Sequence, residues 1–390
     1  MTSSRILHLH LHKALLLAFL LNSAAALVDV PDLSGLRNLD NISLPPGACI
    51  WKKSARASRT PCQFEVLDVE FLDVLGKTPK VDFLSHAPAH EGGVYFPDNE
   101  EFYFSSTWSL DELPEKPANL MKMSLKTGEI SVVMKTMMAN GMALDNKGKL
   151  VVCEQGLFQQ RGFLQRIDLH SLSTTVVADH WRALAFNSPN DVIVKSDNSI
   201  WFTDPNYGQT ERFKGPSQVG KNQVYHVSAT GVVTAVADGF EKPNGLAFSP
   251  DEKLLYVSDT GTSVGDGTVD LTKPHSIKVF DVEGSTLTNQ RVFASVAVLD
   301  GDCPSIGVPD GIKVDTAGRV YTANPDGIQA YSYCRISGEA MHSGHSDSYR
   351  GGYVLETVDL GGQPSVADSL GSRRVVLAFT AEIRRGGLFF

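Results

Sequence analysis

The sequence predicts an all-β protein, and more specifically a six-bladed β-propeller. Three observations point to this fold class. A short pattern recurs along the chain, its copies are spaced by about the length of four strands, and amphipathic helical periodicity is nearly absent. The 34 Gly and 19 Pro, spread along the sequence, suit a fold with many tight turns. An α/β arrangement is the alternative fold.

The recurring unit begins with an oxygen-bearing residue, continues into an apolar strand, turns, and enters a second apolar strand. Five clear copies begin at Glu91, Asn140, Asn190, Asn244 and Asp310, at steps of 49, 50, 54 and 66 residues. About four strands fit in such a step, which is the size of one propeller blade. A degenerate sixth copy is expected near Ser365, with Val375 to Phe379 as its second strand.

The two ends of the repeat region define the predicted domain. The run from Phe64 to Leu75 is typical of a strand, and we expect it to close the ring against the last blade. The propeller is therefore assigned to residues 64–390. The longest step between copies leaves room for an insertion at about residues 261–275, rich in Gly, Thr and Asp. Such a segment predicts a surface loop near the mouth of a site.

The composition excludes two broad classes of protein. With 390 residues, 42% of them hydrophobic and 20% charged, the chain is too apolar to be largely disordered. Its Lys and Arg total 35 against 44 Asp and Glu, which gives a formal charge of −9. A nucleic-acid-binding protein would need a basic stripe to neutralise phosphates, so no nucleic-acid partner is expected.

Residues 1–26 have the layout of a secretory signal peptide. Arg5 and Lys13 supply positive charge, Ala14 to Leu21 is an apolar run, and Ser23 to Ala26 are small residues suited to cleavage. The apolar run is too short to span a bilayer. We therefore expect a secreted protein with no membrane association after cleavage; a buried N-terminal helix is the alternative.

Residues 27–63 form a predicted N-terminal extension, in which Asn41-Ile42-Ser43 is a glycosylation sequon. An oxidising compartment makes disulfides plausible, but the sequence does not fix a pairing among Cys49, Cys62, Cys303 and Cys334. Cys153 lies in an apolar run and is predicted to be a buried strand thiol. No spacing of Cys and His indicates a zinc site.

The first position of every repeat is an oxygen donor: Glu91, Asn140, Asn190, Asn244 and Asp310. In a propeller this position faces the central channel at one end. Turn formation by Asn-Gly and Asp-Gly is the simpler interpretation, but it explains only three copies. Carboxylates with amide oxygens, without a thiolate or clustered imidazoles, favour a hard divalent cation in the channel, most simply Ca²⁺. Asn140 is predicted to be a fifth ligand or a substrate contact.

Several segments carry a family resemblance: His90-Glu91-Gly-Gly-Val-Tyr, Ser188-Pro-Asn-Asp-Val-Ile-Val-Lys-Ser-Asp, Ile200-Trp-Phe-Thr-Asp-Pro, Lys242-Pro-Asn-Gly-Leu-Ala-Phe-Ser and Val308-Pro-Asp-Gly-Ile-Lys-Val-Asp. They resemble the SMP-30/gluconolactonase/LRE-like family, six-bladed propellers with one divalent metal in the channel. Within that family the chain is most similar to the secreted fungal lactonohydrolases, with which it shares Phe186-Asn-Ser-x-Asn-Asp-Val and Phe71-Leu-Asp-Val-Leu-Gly-Lys. The likeness runs from about residue 64 to the C-terminus.

The resemblance implies four metal ligands: Glu91, Asn190, Asn244 and Asp310. It also makes Asp310 the candidate catalytic general base. The sixth blade departs from the family pattern, because Pro364-Ser365-Val366-Ala367 stands where fungal members carry an Ala-Asn-Phe-type segment. Any substrate contact made there is therefore not carried over.

Further residues near these motifs have two possible roles each. Asn140 and His90 are predicted substrate contacts, and a packed or surface histidine is the alternative for His90. Asp191, Asp204 and Asp259 are expected either to orient the ligands or to cap strand ends.

The implied activity is metal-dependent hydrolysis of a small lactone. The cation would polarise the lactone carbonyl, and Asp310 would deprotonate the attacking water. An esterase or phosphotriesterase on the same site is one alternative, and a non-catalytic propeller that binds a small molecule or a protein partner is another. Ser-His-Asp catalysis is not supported, because no nucleophile elbow is present. Aldonolactones, pantoyl-type lactones and a secondary-metabolite lactone or anhydride remain open as substrates, and the sequence predicts no oligomeric state.

Overall fold

The structure of the protein, a computed structural model, describes residues 43–44, 48–50, 64–66, 72, 85, 87–96, 99–265, 268–296, 308–324, 327–332, 353–358, 363–366 and 377–380. Most of these residues are in β-strands or in the turns between them. The helical elements with described bounds are one α-helical turn, α1 (Tyr207–Thr210), and one 3-10 turn, Leu110–Glu112. The predicted all-β class is confirmed.

The strands follow the chain blade by blade. Two short strands come first: β1 (Ala48–Ile50) and β2 (Phe64–Val66). The first blade contains β3 (Val94–Phe96), β4 (Glu101–Ser105), β5 (Leu120–Ser124) and β6 (Ile130–Met134). The second contains β7 (Ala139–Leu144), β8 (Leu150–Glu154), β9 (Phe163–Ile167) and β10 (Thr174–Ala178).

A two-stranded ribbon, β11 (His180–Trp181) and β12 (Leu184–Ala185), precedes the third blade. That blade contains β13 (Val192–Val194), β14 (Ile200–Asp204), β15 (Gln223–Val227) and β16 (Val233–Ala237). The fourth contains β17 (Pro243–Phe248), β18 (Leu254–Asp259), β19 (Ser276–Glu283) and β20 (Thr286–Ser295). The fifth contains β21 (Ile312–Val314), β22 (Val320–Asn324), β23 (Gly327–Ser332) and β24 (Tyr353–Val358). The last strands are β25 (Gln363–Val366) and β26 (Leu377–Thr380).

Each clear repeat of the sequence corresponds to one blade, an antiparallel four-stranded meander whose first strand is innermost. The prediction of six blades is wrong: the described residues form five blades. Where the sixth copy was expected, β25 and β26 pair only with each other. The N-terminal strand does not complete a sixth sheet, because β2 pairs antiparallel with β24 and β1 pairs parallel with β2. The predicted closing strand at Phe64 therefore extends the fifth blade.

The hydrophobic core lies between successive blades. Second strands are buried on both faces, as the uniformly buried residues of β8 and β14 show. Between the second and third blades, for example, Leu164 packs in one cluster with Phe202 and Tyr225, whose rings stack at a centroid distance of 5.1 Å. Cys153, on β8, is buried in the same cluster as a free thiol, as predicted. The apolar runs of the sequence therefore build the blade-to-blade packing that sets the position of the site.

Several predictions fall outside the described residues. The signal peptide 1–26, the sequon at Asn41, most of the extension 27–63, and the side chains of Cys49, Cys62, Cys303 and Cys334 are among them. These stay predictions. In the part of the chain that is described, no helix has the length and apolar character needed to cross a membrane.

Candidate active site

One end of the propeller holds a cavity of about 740 Å³, its open mouth included. It lies at the inner ends of the five blades, where β3, β7, β13, β17 and β21 begin. All six residues predicted as ligands or substrate contacts line it: His90, Glu91, Asn140, Asn190, Asn244 and Asp310. The fold therefore brings the first position of every clear repeat into one site.

Two of these inward residues lie inside strands. Asn140-Gly141 is part of β7 and Asn244-Gly245 is part of β17, and at each pair the register with the second strand of the blade shifts. A bulge of this kind re-aims a side chain without ending the strand. The interpretation of these Asn-Gly dipeptides as turns therefore fails at both positions.

Close packing explains why glycine follows the inward residue. A Cβ atom at Gly141 would lie 2.5 Å from the carbonyl oxygen of Asn190, and one at Gly245 would lie 2.5 Å from that of Asp310. Both oxygens belong to the inward residue of the next blade. Glycine thus allows neighbouring blades to approach closely at their inner ends.

Hydrogen bonds between blades fix the backbone of the inward residues. The N–H of Gly141 donates to the carbonyl oxygen of Asn190 at 2.7 Å. The hydroxyl of Thr203 donates to the carbonyl of Asn244, and the hydroxyl of Ser258 to the carbonyl of Asp310, each at 2.7 Å. Because each bond crosses from one blade to the next, the ring holds the direction in which these side chains project.

Asp204, at the end of β14, holds the segment that leads into Asn190. Its carboxylate accepts the backbone N–H of Asn187 at 2.9 Å and that of Ser188 at 2.8 Å. Burial raises the pKa of Asp204 to about 7, while these N–H groups and the Lys214 ammonium oppose the rise. The carboxylate therefore fixes the loop that carries an inward residue.

Asp259, at the end of β18, has the same relation to Asn244. It accepts the backbone N–H of Lys242 at 2.9 Å and the Lys278 ammonium at 2.8 Å. Both Asp204 and Asp259 thus act on the backbone that precedes an inward residue, and not on the cavity itself.

Glu154 has the equivalent place at the end of β8, and sequence reasoning missed it. Glu154 follows Asn140 by the same number of residues as Asp204 follows Asn190. This equal spacing could have identified Glu154 from the sequence. Its carboxyl accepts the backbone N–H of Met137 at 2.7 Å and the side-chain amide of Gln165 at 2.5 Å. Burial raises the pKa of Glu154 to about 8.

Asp191 connects the third and fourth blades. Its carboxylate accepts the N–H of Val192 at 2.9 Å and that of Leu246, on β17, at 3.3 Å. Burial raises the pKa of Asp191, and Lys313 opposes this rise. Its side chain therefore supports the inner strands on either side of the site.

Three oxygens of the site are buried and have no hydrogen-bond partner among the described residues: Asn190 Oδ1, Asn244 Oδ1 and Asp310 Oδ1. Buried polar atoms are rarely left unpaired, because the loss of solvation is costly. No group of three or more His, Cys, Asp or Glu side chains in the described part of the chain could hold a metal ion. Amide oxygens combined with carboxylates are nevertheless a donor set that fits a hard cation.

Burial and neighbouring carboxylates disfavour the ionisation of Glu91 and Asp310, the two carboxyl groups among the predicted ligands. Burial, then repulsion by Asp310, Asp191 and Glu211, raises the pKa of Glu91 well above its usual value. Burial, then Asp191, raises the pKa of Asp310 to about 7, and the neighbouring Asn244 side chain opposes this rise. A cation between these groups would favour their ionised forms.

Asn140 has the same repeat position as Asn244 but another orientation. Its Oδ1 accepts the N–H of Gly141 at 2.9 Å, and its side chain hydrogen-bonds to Glu91, which lowers the pKa of that carboxyl. Asn140 thus hydrogen-bonds both to the backbone of β7 and to Glu91, and its role as a fifth ligand or a substrate contact stays a prediction.

His90 lines the cavity beside Glu91. Its backbone N–H donates to the carbonyl of Ser105 at 2.8 Å, and its Nε2 lies 4.0 Å from Oε1 of Glu91. The side chain is mostly buried, with 16% of its surface exposed, and it belongs to the cavity wall. It is therefore placed for contact with a molecule in the cavity.

Two further residues of the cavity wall have no counterpart in the repeats. Tyr207 begins α1 and Glu211 directly follows it. Burial raises the pKa of Glu211 to about 8, with Lys242 lowering and Asp310 raising it. Sequence reasoning missed both residues, because they lie in the connection between β14 and β15, where no repeat pattern exists.

Comparison with known proteins decides the family. Residues 90–343, more than half of the chain, match the SMP-30/Gluconolactonase/LRE-like region. The chain belongs to this family. The resemblance read from the five repeats is thereby confirmed.

Three relatives illustrate the family relationship. A gluconolactonase of Zymomonas mobilis is 30% identical over 196 residues, a match of 50% of this chain and 51% of that protein. Lactonohydrolase oryL of Aspergillus oryzae is 28% identical over 323 residues, 76% of this chain and 66% of that protein. The solved structure of a gluconolactonase from Xanthomonas campestris is similar with a TM-score of 0.62 at 25% identity, covering 82% of this chain and 92% of that one. The chain thus spans about half the length of the Zymomonas relative.

Proposed function

We propose that this SMP-30/gluconolactonase/LRE-like protein is a lactonase that opens the ester bond of a small lactone in the cavity, with one divalent cation, Ca²⁺, as its cofactor. The observation that carries the proposal is the meeting of Glu91, Asn190, Asn244 and Asp310 at one cavity. Three of their oxygens are buried without a partner among the described residues. The names of the relatives, gluconolactonase and lactonohydrolase, support the reaction class.

The proposed chemistry assigns a proton transfer to each of two carboxyl groups. When bound, the cation supplies positive charge that stabilises the oxyanion of the attacked carbonyl. Asp310 accepts a proton from water as the water oxygen bonds to the carbonyl carbon. The ring carbon–oxygen bond breaks, and Glu211, whose carboxyl lines the cavity, donates a proton to the ring oxygen.

The cavity wall supports a hydroxylated substrate. Besides the proposed ligands it presents polar side chains, among them Gln155, Ser263 and Thr268, while its apolar residues include Val269 and Val308. Polar walls suit a substrate whose hydroxyl groups can exchange water for protein hydrogen bonds. We therefore place aldonolactones such as glucono-1,5-lactone first, and a lactone of secondary metabolism second.

A lactone panel tests the proposal. Glucono-1,5-lactone, pantoyl lactone and unsubstituted γ-butyrolactone are offered to the protein with Ca²⁺, with chelator, and as the Asn244→Ala variant. We expect turnover of the hydroxylated lactones that falls at least about 100-fold with chelator and in the variant, since a charge-stabilising group is removed. The matched control, Asn146→Ala, replaces an exposed asparagine of the β7–β8 turn and should retain activity.

Two results would contradict the lactonase assignment. One is a folded, Ca²⁺-binding protein that hydrolyses none of the lactones, which would favour a binding role. The other is cation-dependent hydrolysis of an aryl ester or a phosphotriester without lactone turnover, which would assign the alternative reaction to the same site.

A further inference from the structure

The orientation of the Asn244 amide is set by a residue that lies outside the repeats. Its Nδ2 donates to the phenol oxygen of Tyr207 at 3.1 Å. Both side chains are buried, with 4% of Asn244 and 6% of Tyr207 exposed, and both line the cavity. The other end of the amide, Oδ1, has no partner among the described residues. The hydrogen bond to the phenol therefore leaves the oxygen for the cavity.

Tyr207 is itself held in place from two sides. On one side, the N–H of Gly208 donates to the hydroxyl of Ser188 at 2.8 Å, which joins α1 to the loop that leads into Asn190. On the other side, the ammonium of Lys242 lies 5.0 Å from the centroid of the Tyr207 ring. The phenol oxygen is thus held at a fixed place in the cavity wall.

Asn140 shows that the repeat alone does not set the amide orientation. It occupies the same position before a glycine, in a bulge of the same kind, yet its Oδ1 accepts the N–H of the following Gly141. A buried amide turns the end that finds a partner toward that partner. In the fourth blade the amide nitrogen donates to the phenol oxygen, and the amide oxygen is left for the cavity.

We propose that Tyr207 is a positioning residue of the cation site: its phenol oxygen holds Asn244 so that Oδ1 faces the cation. The inference rests on the cation site proposed above, and it assigns a role to a residue from α1. Removing the phenol oxygen takes away the acceptor that holds Nδ2 and leaves the Asp310 carboxyl as the remaining neighbour of the amide. Binding of the cation then also has to order the Asn244 side chain, which weakens the net affinity.

Calorimetric titration of chelator-treated protein with Ca²⁺ tests this role without relying on turnover. Tyr207→Phe removes the acceptor and keeps the ring against Lys242. We expect Ca²⁺ affinity to fall about tenfold, the effect of one lost hydrogen bond to a ligand. The control Tyr225→Phe loses a phenol hydrogen bond to Gln223 in the core of the third blade, away from the cavity, and should keep wild-type affinity.

Repeating Tyr207→Phe in a second variant, Asn244→Asp, distinguishes loss of amide orientation from a general loss of structure. In Asn244→Asp the side chain has two oxygens, so either end can face the cation. Tyr207→Phe should therefore cost less than about twofold in Ca²⁺ affinity in the Asn244→Asp background, against about tenfold in the presence of Asn244. Equal losses in both backgrounds would mean that Tyr207 supports the fold only.

The outcomes for the positioning role and for the lactonase proposal are distinguishable. If Tyr207→Phe binds Ca²⁺ as tightly as Tyr225→Phe, the positioning role is wrong, whatever the protein hydrolyses. If the wild type binds Ca²⁺ and Tyr207→Phe weakens it selectively, the positioning role holds even when no lactone is turned over. A wild-type protein that binds no Ca²⁺ overturns both the positioning role and the cation site.

Discussion

Glycine has a packing role at the inner ends of the blades, and this can be tested at a single residue. The space beyond Gly245 is filled by backbone of the fifth blade, namely the carbonyl oxygen of Asp310 and the N–H nitrogen of Ile312, both 2.5 Å from the position of a Cβ. Backbone atoms inside a sheet cannot rotate away as a flexible side chain can. An added methyl group must therefore push β17, which carries Asn244, away from the backbone at Asp310 and Ile312.

Gly245→Ala should lower both stability and Ca²⁺ affinity. We expect the free energy of unfolding to fall by about 1–3 kcal/mol, the usual cost of overpacking, as measured by urea denaturation. Gly215→Ala is the matched control, since a Cβ there meets nothing within 4 Å. Equal unfolding midpoints for the two variants would show that the inner ends tolerate separation.

At this scale the sequence predicts which residues meet but not how each is turned. The oxygen donors at the repeat positions could be aligned because the blades repeat. The different orientations of the Asn140 and Asn244 amides could not be predicted from the repeats. Each depends on a local partner: the N–H of Gly141 in one case and the phenol of Tyr207 in the other. Neither partner is specified by the repeat.

Second strands of three blades end in a buried carboxyl group that binds the backbone of the segment leading into an inward residue. Glu154, Asp204 and Asp259 accept N–H groups of Met137, Asn187 and Lys242, respectively. Each of these strands is hydrogen-bonded to a neighbouring strand of its blade on either side. These carboxyl groups thus transmit the rigidity of β8, β14 and β18 to the loops of the site.

Glu154 makes the stability of the folded protein depend on pH. Because burial raises its pKa to about 8, the folded protein keeps a proton that the unfolded chain releases above its ordinary pKa of 4.5. Stability must then decrease as pH rises through this window, by up to about 1.4 kcal/mol per pH unit for one proton. Glu154→Gln, which cannot ionise, should show a smaller decrease between about pH 5 and pH 8.

The measurement is the urea midpoint of the wild type and of Glu154→Gln at both pH values. Glu129→Gln, at an exposed position before β6, serves as the control and should follow the wild type. If Glu154→Gln lost stability with pH as steeply as the wild type, the buried carboxyl would not be protonated in the folded protein.

The strand pattern was predictable from alternating apolar residues, whereas α1 was not. Four residues, Tyr207–Thr210, are too short to show helical periodicity, and they lie in a connection without a repeat. The helix nevertheless places Tyr207 and Glu211 in the cavity wall. Residues delivered by such short connections become visible only when the fold is known.

The molecule as a whole is a series of blades that stabilise one another. Apolar clusters join the first blade to the second, the second to the third, the third to the fourth and the fourth to the fifth. Each blade therefore positions the inward residue of the next, which accounts for a site assembled from all five repeats.

Blade number was the part of the fold that the sequence predicted wrongly. Counting repeats gives the number of blade starts, but whether a start becomes a four-stranded blade depends on which strands pair. Within the described residues β2 supplies a further strand to the fifth blade, by pairing with β24, and leaves β25 and β26 as a two-stranded sheet. Pairing between distant strands of similar composition is not encoded in a local pattern.

The most direct test of the central claim is the rate of glucono-1,5-lactone hydrolysis as Ca²⁺ is added back to chelator-treated protein whose metal content has been measured. We expect almost no turnover at first, recovery that saturates at one Ca²⁺ per chain, and less than about 1% recovery in Asp310→Asn, which loses both a charged ligand and the proposed base. Full turnover by metal-free protein, or normal recovery in Asp310→Asn, would contradict a cation-dependent lactonase built on these residues.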